Sequence, residues 1–170
     1  RALVNVLACA AGLAIAVALF FWADQGGEGG AIGVYLPANW AVPYGIVLVA
    51  DRLSALMLVL TGVLGLTSVL YATARWHRAG VHFHPLFQFQ LLGINGAFLT
   101  GDVFNLFVFF EVMLIASYGL LLHGGGPRRL LAGFQYVTIN LLASTLFLFA
   151  VGLIYAIVGI SLVILTGWSG

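Results

Sequence analysis

Glu111 is the residue on which any chemistry in this chain turns. It lies inside VFNLFVFFEVMLIASYGLL (103–121), an ionisable group near the centre of a run long enough to cross a membrane. A charge at mid-bilayer costs roughly 2.5–3.5 kcal/mol on insertion scales, so it has to be neutralised by protonation, by a buried cation or by water in a cavity. Low dielectric favours the neutral acid, and a nearby ammonium favours the ionised one. A carboxyl held between these two effects loads and releases a proton when its partner moves, which is the property a proton relay needs. The plainer alternative is an acid that stays protonated and only bonds a neighbouring helix. The chain has no lysine, and its arginines (1, 52, 75, 78, 128 and 129) all fall in loops or at the edges of apolar runs. Glu111 is therefore either neutral here or paired with a group on another segment or another protein of a complex.

Other polar residues rank second, as candidates to line a path. The Gly101-Asp102 turn is short enough to make the runs on either side antiparallel neighbours, which brings Asn95 within about one helical turn of the level of Glu111 at ~1.5 Å per residue. Tyr136, Asn140 and Ser144 recur at i, i+4 and i+8 and form one stripe on a helix. Asp102 stands at the turn itself. Interhelical hydrogen bonding accounts for all of these without a transport role and is the preferred reading. His82, His84 and His123 gather with the arginines at one end of the runs, as does His77. His82-Phe-His84 lacks a third and fourth ligand at metal spacing, and no histidine pair sits inside facing helices as a haem would need, so no metal or cofactor is expected. A part in proton uptake, with a side chain that titrates near neutrality, suits these histidines better.

Only a membrane-embedded fold can hold this pattern. Of the 170 residues 63% are hydrophobic and 6% charged, with a net charge of +1 and a mean hydropathy of +1.15. A soluble domain carries about 25% charged residues, so a globular enzyme, a disordered tail and a nucleic-acid binder are all excluded. The lone cysteine, Cys9, permits neither an internal disulfide nor a sulfur-ligated zinc site. At about 20 apolar residues per crossing, five helical spans are expected, at 2–22, 53–74, 84–101, 103–122 and 130–158. The stretch 31–50 is apolar too, but Pro37 and Pro43 break helical geometry. Its β-branched and aromatic ends flank a Pro-Ala-Asn-Trp-Ala-Val-Pro turn and read as an external β-hairpin, with the rings of Trp40 and Tyr44 at headgroup level.

Charge supports five spans over six. With five, Arg1, Arg75, Arg78, Arg128 and Arg129 share one side, while Asp24, Glu28, Asp51 and Asp102 share the other, where Arg52 is the lone cation. Basic loops stay cytoplasmic, which puts the N-terminus inside and the C-terminus outside. The glycine clusters at 26–30 and 124–126 read as turns, and Gly93, Gly96, Gly101, Gly152 and Gly159 as close-packing points between helices. Arg1 with its apolar run is too long for a signal peptide and lacks a small-x-small cleavage site. The chain reads as a single transmembrane domain, 1–170, that is a piece of a longer membrane protein.

The run TGDVFNLFVFFEVMLIASYGLLLHGGG (100–126) resembles the D subunit of the multisubunit Mrp-type sodium/proton antiporters, relatives of the antiporter-like, proton-pumping membrane subunits of respiratory complex I. The resemblance extends through HFHPLFQFQLLGINGAFL (82–99), GIVLVADRLSALMLVLTG (45–62) and GFQYVTINLLASTLFLFAVGLIYAIVG (133–159), nearly the whole chain. FNLFVFFEV followed by SYGLLLHGGG is its Mrp-specific part. The resemblance implies two inverted five-helix repeats with broken helices at the midplane, the spans here being family helices two to six. It also implies that Glu111 pairs with a lysine on the broken helix that follows them. Residues 160–170 depart from the family pattern, for which a truncated or frame-shifted product is the expectation.

The expected function is thus that of a membrane subunit, not an enzyme, in a multisubunit antiporter that exchanges cytoplasmic Na+ for external protons. Glu111 is its proton relay, the bacterial inner membrane its location, and the other antiporter subunits and the lipid bilayer its partners. A proton-pumping subunit of an NADH:quinone oxidoreductase or a membrane hydrogenase is one alternative. A non-transporting assembly fragment is the other.

Overall fold

A computed structural model of the chain describes residues 1–25, 31–37, 45–75 and 82–167. These form helices and two short strands in the order α1 (Ala2–Asp24), β1 (Gly33–Tyr35), β2 (Leu48–Ala50), α2 (Arg52–Arg75), α3 (Phe83–Leu99), α4 (Val103–Leu121) and α5 (Pro127–Gly167). Among the described residues four helices are long and apolar enough to cross a membrane: Ala2–Asp24, Arg52–Ala74, Val103–Leu121 and Pro127–Val158. The run expected to span at 84–101 forms α3, whose 17 residues reach only about 25 Å at 1.5 Å each, the short end of what a hydrocarbon core requires. It stops at Leu99 because Thr100 turns extended and bridges to Leu48.

The helices pack as two hairpins. α1 lies along α2 and α3 along α4, while α5 rests chiefly on α4. Close approach of α3 and α4 is set by glycine: a Cβ on Gly93 would lie 2.7 Å from the backbone nitrogen of Met113, and one on Gly96 would enter the ring of Phe109. These two positions pack between helices as expected, whereas at Gly101 the close neighbour is Val49 of β2, which a Cβ would meet at 2.6 Å. Gly152 does not pack as expected, since a Cβ there meets nothing within 4 Å among the described residues. It sits on a stretch of α5 whose neighbours Leu153 and Phe149 are exposed, so no described helix is close enough to need its smallness.

β1 and β2 pair antiparallel, with Gly33 opposite Ala50 and Tyr35 opposite Leu48. Their connection, with Trp40 and Tyr44, lies outside the described residues, as do His77, Arg78, Glu28 and the glycine cluster at 26–30. Gly101 donates its N–H to the carbonyl of Val47 at 2.9 Å, so the sheet is seated on the α3–α4 turn. At the same end Arg52 pairs with Asp24 at 3.1 Å, a solvent-exposed bridge of small energetic weight, and Asp51 caps α2 by accepting from the N–H of Ser54 at 2.7 Å. Gly124, Gly125 and Gly126 all take positive φ (91°, 66° and 109°), a conformation open to glycine at little cost. Pro127 then opens α5 with φ already set. This starts the helix three residues before the expected 130, with Arg128 and Arg129 in its first turn. α5 continues unbroken past 158 to Gly167, 41 residues in all.

Two tests follow from this packing. Gly93→Ala forces α3 off α4 and is expected to cost about 1–3 kcal/mol, as overpacking does, whereas Gly152→Ala has room. Thermal unfolding in detergent should separate the two variants clearly, and equal responses would contradict the packing. The Asp51 carboxyl is held below its ordinary range by the hydrogen bond from the Ser54 backbone. Its cap is therefore at full strength above about pH 4, the unperturbed carboxylate value, and fades as pH falls through the lowered value. Asp51→Ala should cost about 1 kcal/mol at pH 7, and the gap between variant and wild type should close on acidification.

Candidate functional site

Glu111 sits midway along α4, half-buried, with phenylalanines before it and aliphatic residues after. The Ser144 hydroxyl of α5 donates to its Oε1, so the carboxyl is satisfied from the adjacent helix. The stripe of Tyr136, Asn140 and Ser144 turns toward α4. The ring of Tyr136 meets Tyr118 edge-on at 5.7 Å, and Asn140 and Ser144 line a cavity of about 240 Å³ with Phe110, Leu114 and Phe147. Asn140 donates its own amide back to the Tyr136 carbonyl at 2.8 Å. Phe147 stands edge-on to Phe107 at 5.8 Å and to Phe110 at 6.2 Å, which walls the acid off with aromatic rings on the α4–α5 seam.

The other candidates fall elsewhere. Asp102 is the N-cap of α4: one carboxylate oxygen accepts from Asn105 N–H at 3.1 Å and the other from the Tyr155 hydroxyl of α5. Nine residues separate it from Glu111 along one helix, about 14 Å, so it anchors the helix end and does not join the acid. Asn95 is level with Glu111, because Gly93 faces Met113 and Gly96 faces Phe109 across the α3–α4 contact. Its side chain nevertheless lines a cavity against α1 and α2. His84 accepts from the Asn5 amide at 2.9 Å, His82 is exposed at the start of α3, and His123 is buried with its ring 5.4 Å from that of Phe83. The three histidines lie at the end where α1 and α3 begin and α4 finishes. Among the described residues no three His, Cys, Asp or Glu side chains are grouped to hold a metal ion.

Several contributors were not singled out from sequence. Tyr118 stands seven residues after Glu111 and Tyr155 eleven after Ser144, both near-integral numbers of helical turns, a spacing that marks them as members of the same faces. Asn5, Cys9 and Gln88 form a second polar group: Asn5 and Cys9 share a face of α1 four residues apart, and only the fold brings Gln88 of α3 to them.

Long apolar helices built around an internally satisfied carboxyl define the class: this is a multi-pass, all-α membrane protein. Residues 100–167 match the family described as NADH:quinone oxidoreductase/Mrp antiporter, TM. The D subunit of a probable K+/H+ antiporter of Rhizobium meliloti is 65% identical over 127 residues, 75% of this chain and 24% of the relative. The D subunit of an Na+/H+ antiporter of Alkalihalophilus pseudofirmus is 50% identical over 71% of this chain and 25% of its own length. Among solved structures, the Mrp complex from Dietzia sp. DQ12-45-1b contains a chain that matches with a TM-score of 0.79 and 40% identity, over 91% of this chain and 29% of that one. An archaeal membrane-bound sulfane sulfur reductase complex matches at 0.77 and 28% identity, over 89% and 31%. In sequence and in fold, this chain matches part of the D subunit of the Mrp-type antiporters. It spans about a quarter of the length of these curated relatives, which are named as antiporter subunits and not as enzymes.

The two hydroxyl-to-carboxyl contacts between α4 and α5 can be tested together. Ser144→Ala and Tyr155→Phe should each cost about 0.6 kcal/mol, and at most about 1.7, the range for hydrogen bonds between membrane helices. The sites are far enough apart along α5 for the losses to add. Unfolding of the double variant at much less than the sum would show that the contacts are not independent.

Proposed function

We propose that this chain is the part of an Mrp-type antiporter's D subunit in which Glu111 relays protons through the first half-channel while the assembled complex moves a monovalent cation the other way. The observation that carries the reading is the placement of Glu111: a carboxyl in the middle of an apolar helix, bonded by the hydroxyl of Ser144, which itself lines a cavity on the α4–α5 seam. A serine hydroxyl serves either protonation state, donating to the ionised acid or accepting from the neutral one, so the site accommodates a proton that comes and goes.

In the proposed arrangement α3 is the fifth span, and the end bearing Arg1, Arg128, Arg129 and the histidines is cytoplasmic, following the bias of basic loops. The β1–β2 pair and Asp24, Asp51 and Asp102 are external, and the inner membrane of a bacterium is the location. Other antiporter subunits cover part of the wide exposed face of α5. The relatives' names divide between Na+ and K+, and Na+ remains the proposed cation. A proton-pumping subunit in a redox-linked complex is the second reading, favoured by the likeness to the sulfane sulfur reductase complex. The higher identity to the Mrp complex chain supports the antiporter.

Glu111→Gln, placed in the full-length protein of the assembled complex in vesicles, keeps size and polarity but cannot titrate. Cation-driven proton movement should fall by tenfold or more. Wild-type rates in this variant would rule the relay out.

A further inference from the structure

The seam between α1 and α3 changes character with depth. At the basic end a cavity of about 590 Å³ is lined by Arg1, Asn5, His82 and His84. Beyond it a cavity of about 330 Å³ runs along α1 from Ala8 to Leu19, walled by Ala, Gly, Leu and Ile side chains and interrupted only by Cys9, Gln88 and Asn95. Ala8 and Gln88 line both, so the two form one groove with a polar mouth and an apolar body. The body opens sideways: Ile15 and Leu92 on its rim are exposed, and a Cβ on Gly12 in its floor would meet nothing within 4 Å. At the mouth the Gln88 amide donates to Asn5 Oδ1 and the Asn5 amide to His84 Nδ1 at 2.9 Å, while Arg1 and His82 stand exposed at the edge.

Charge at this end has one sign. Arg128 and Arg129 open α5 there, and the described acids lie elsewhere, with Asp24, Asp51 and Asp102 at the opposite end and Glu111 on the α4–α5 seam. A guanidinium holds a phosphate through two parallel N–H bonds, and an imidazole has an N–H to donate in either protonation state. Basic pockets between membrane helices suit anionic lipid headgroups. The body of the groove suits the rest of the same molecule. An apolar void without partner atoms forfeits dispersion contacts, and within a bilayer an acyl chain is what can supply them. From Arg1 to Ala16 the helix rises about 22 Å at ~1.5 Å per residue, which is half of a bilayer ~40–45 Å thick with its headgroups. Bulk lipid tails are as apolar as the groove walls, so the chain contributes fit and the headgroup selects. We propose that the α1–α3 groove holds one anionic phospholipid, its phosphate on Arg1 and His82 and one acyl chain laid over Gly12 toward Ala16.

The test uses the assembled complex in nanodiscs. Trace phosphatidylglycerol with a diazirine in its acyl chain, or phosphatidylcholine with the same chain, is photolysed, and crosslinks are mapped by mass spectrometry. Phosphatidylglycerol should label residues 8–16 of α1 about fivefold or more over phosphatidylcholine, the selectivity one basic side chain gives near a membrane surface. Replacing both Arg1→Gln and His82→Gln should bring it down to the phosphatidylcholine level. Gly12→Leu fills the floor, leaves the charges and should lower labelling of this stretch by a similar factor. Equal labelling by the two lipids in the wild type overturns the site, because it marks an unselective annulus. So does the absence of label from the groove, as when a partner subunit's helix lies in it. Millimolar inorganic phosphate should leave the preference in place, and its abolition would reassign the site to a free anion. If the variants do not assemble, the wild-type preference decides. No arm of the test reads proton movement, so its outcome is independent of the role of Glu111.

Discussion

A carboxyl group in the middle of an apolar helix has to be satisfied by something on another helix, and much of this structure answers that requirement. Ser144 reaches Glu111 from α5, and this contact fixes the rotation of α5, because its hydroxyl must face α4. With that rotation set, Tyr136 falls against Tyr118, Phe147 against Phe107 and Phe110, and Tyr155 reaches Asp102. The remaining faces of α5 carry large apolar side chains with little covering them, such as Phe134 at 72% and Ile139 at 69% exposure. They suit lipid tails or the surfaces of partner proteins.

Much of this was legible in the sequence, for reasons that differ from residue to residue. Glu111 stood out because an ionisable group in a membrane run has no cheap explanation, and the α5 stripe because helical periodicity is a property of one segment alone. The level of Asn95 was readable from a short turn and a known rise per residue. The direction of its side chain was not, because that depends on how α3 is rotated between two neighbours, and the glycine contacts with α4 leave its polar edge facing α1. The Asn5–Gln88–Cys9 group was invisible for a related reason: Asn5 and Cys9 share a face of α1, but only the assembled bundle brings Gln88 of α3 to them from 83 and 79 residues away.

The boundaries show the same division between local and tertiary causes. The start of α5 follows from Gly-Gly-Gly-Pro, a local signal that outweighs the hydropathy of the arginines after it. The end of α3 at Leu99 is tertiary, since Thr100 leaves the helix to meet Leu48 of the sheet. Arg52 bridges to Asp24 on α1, while its neighbour in sequence, Asp51, caps α2.

The seating of β2 on the α3–α4 turn has a mechanical consequence. The two helical hairpins, α1–α2 and α3–α4, are riveted at one end, where Leu48 bridges Thr100 and Val47 accepts from Gly101. At the opposite end the seam between them holds its larger void, about 590 Å³ against 420 Å³ beside the strands. Such a body behaves like tongs. Any rocking of one hairpin against the other has its fulcrum at the sheet and its greatest travel at the histidine-bearing tips, so the width of the seam there can change while the ends of the helices beside the strands stay in register.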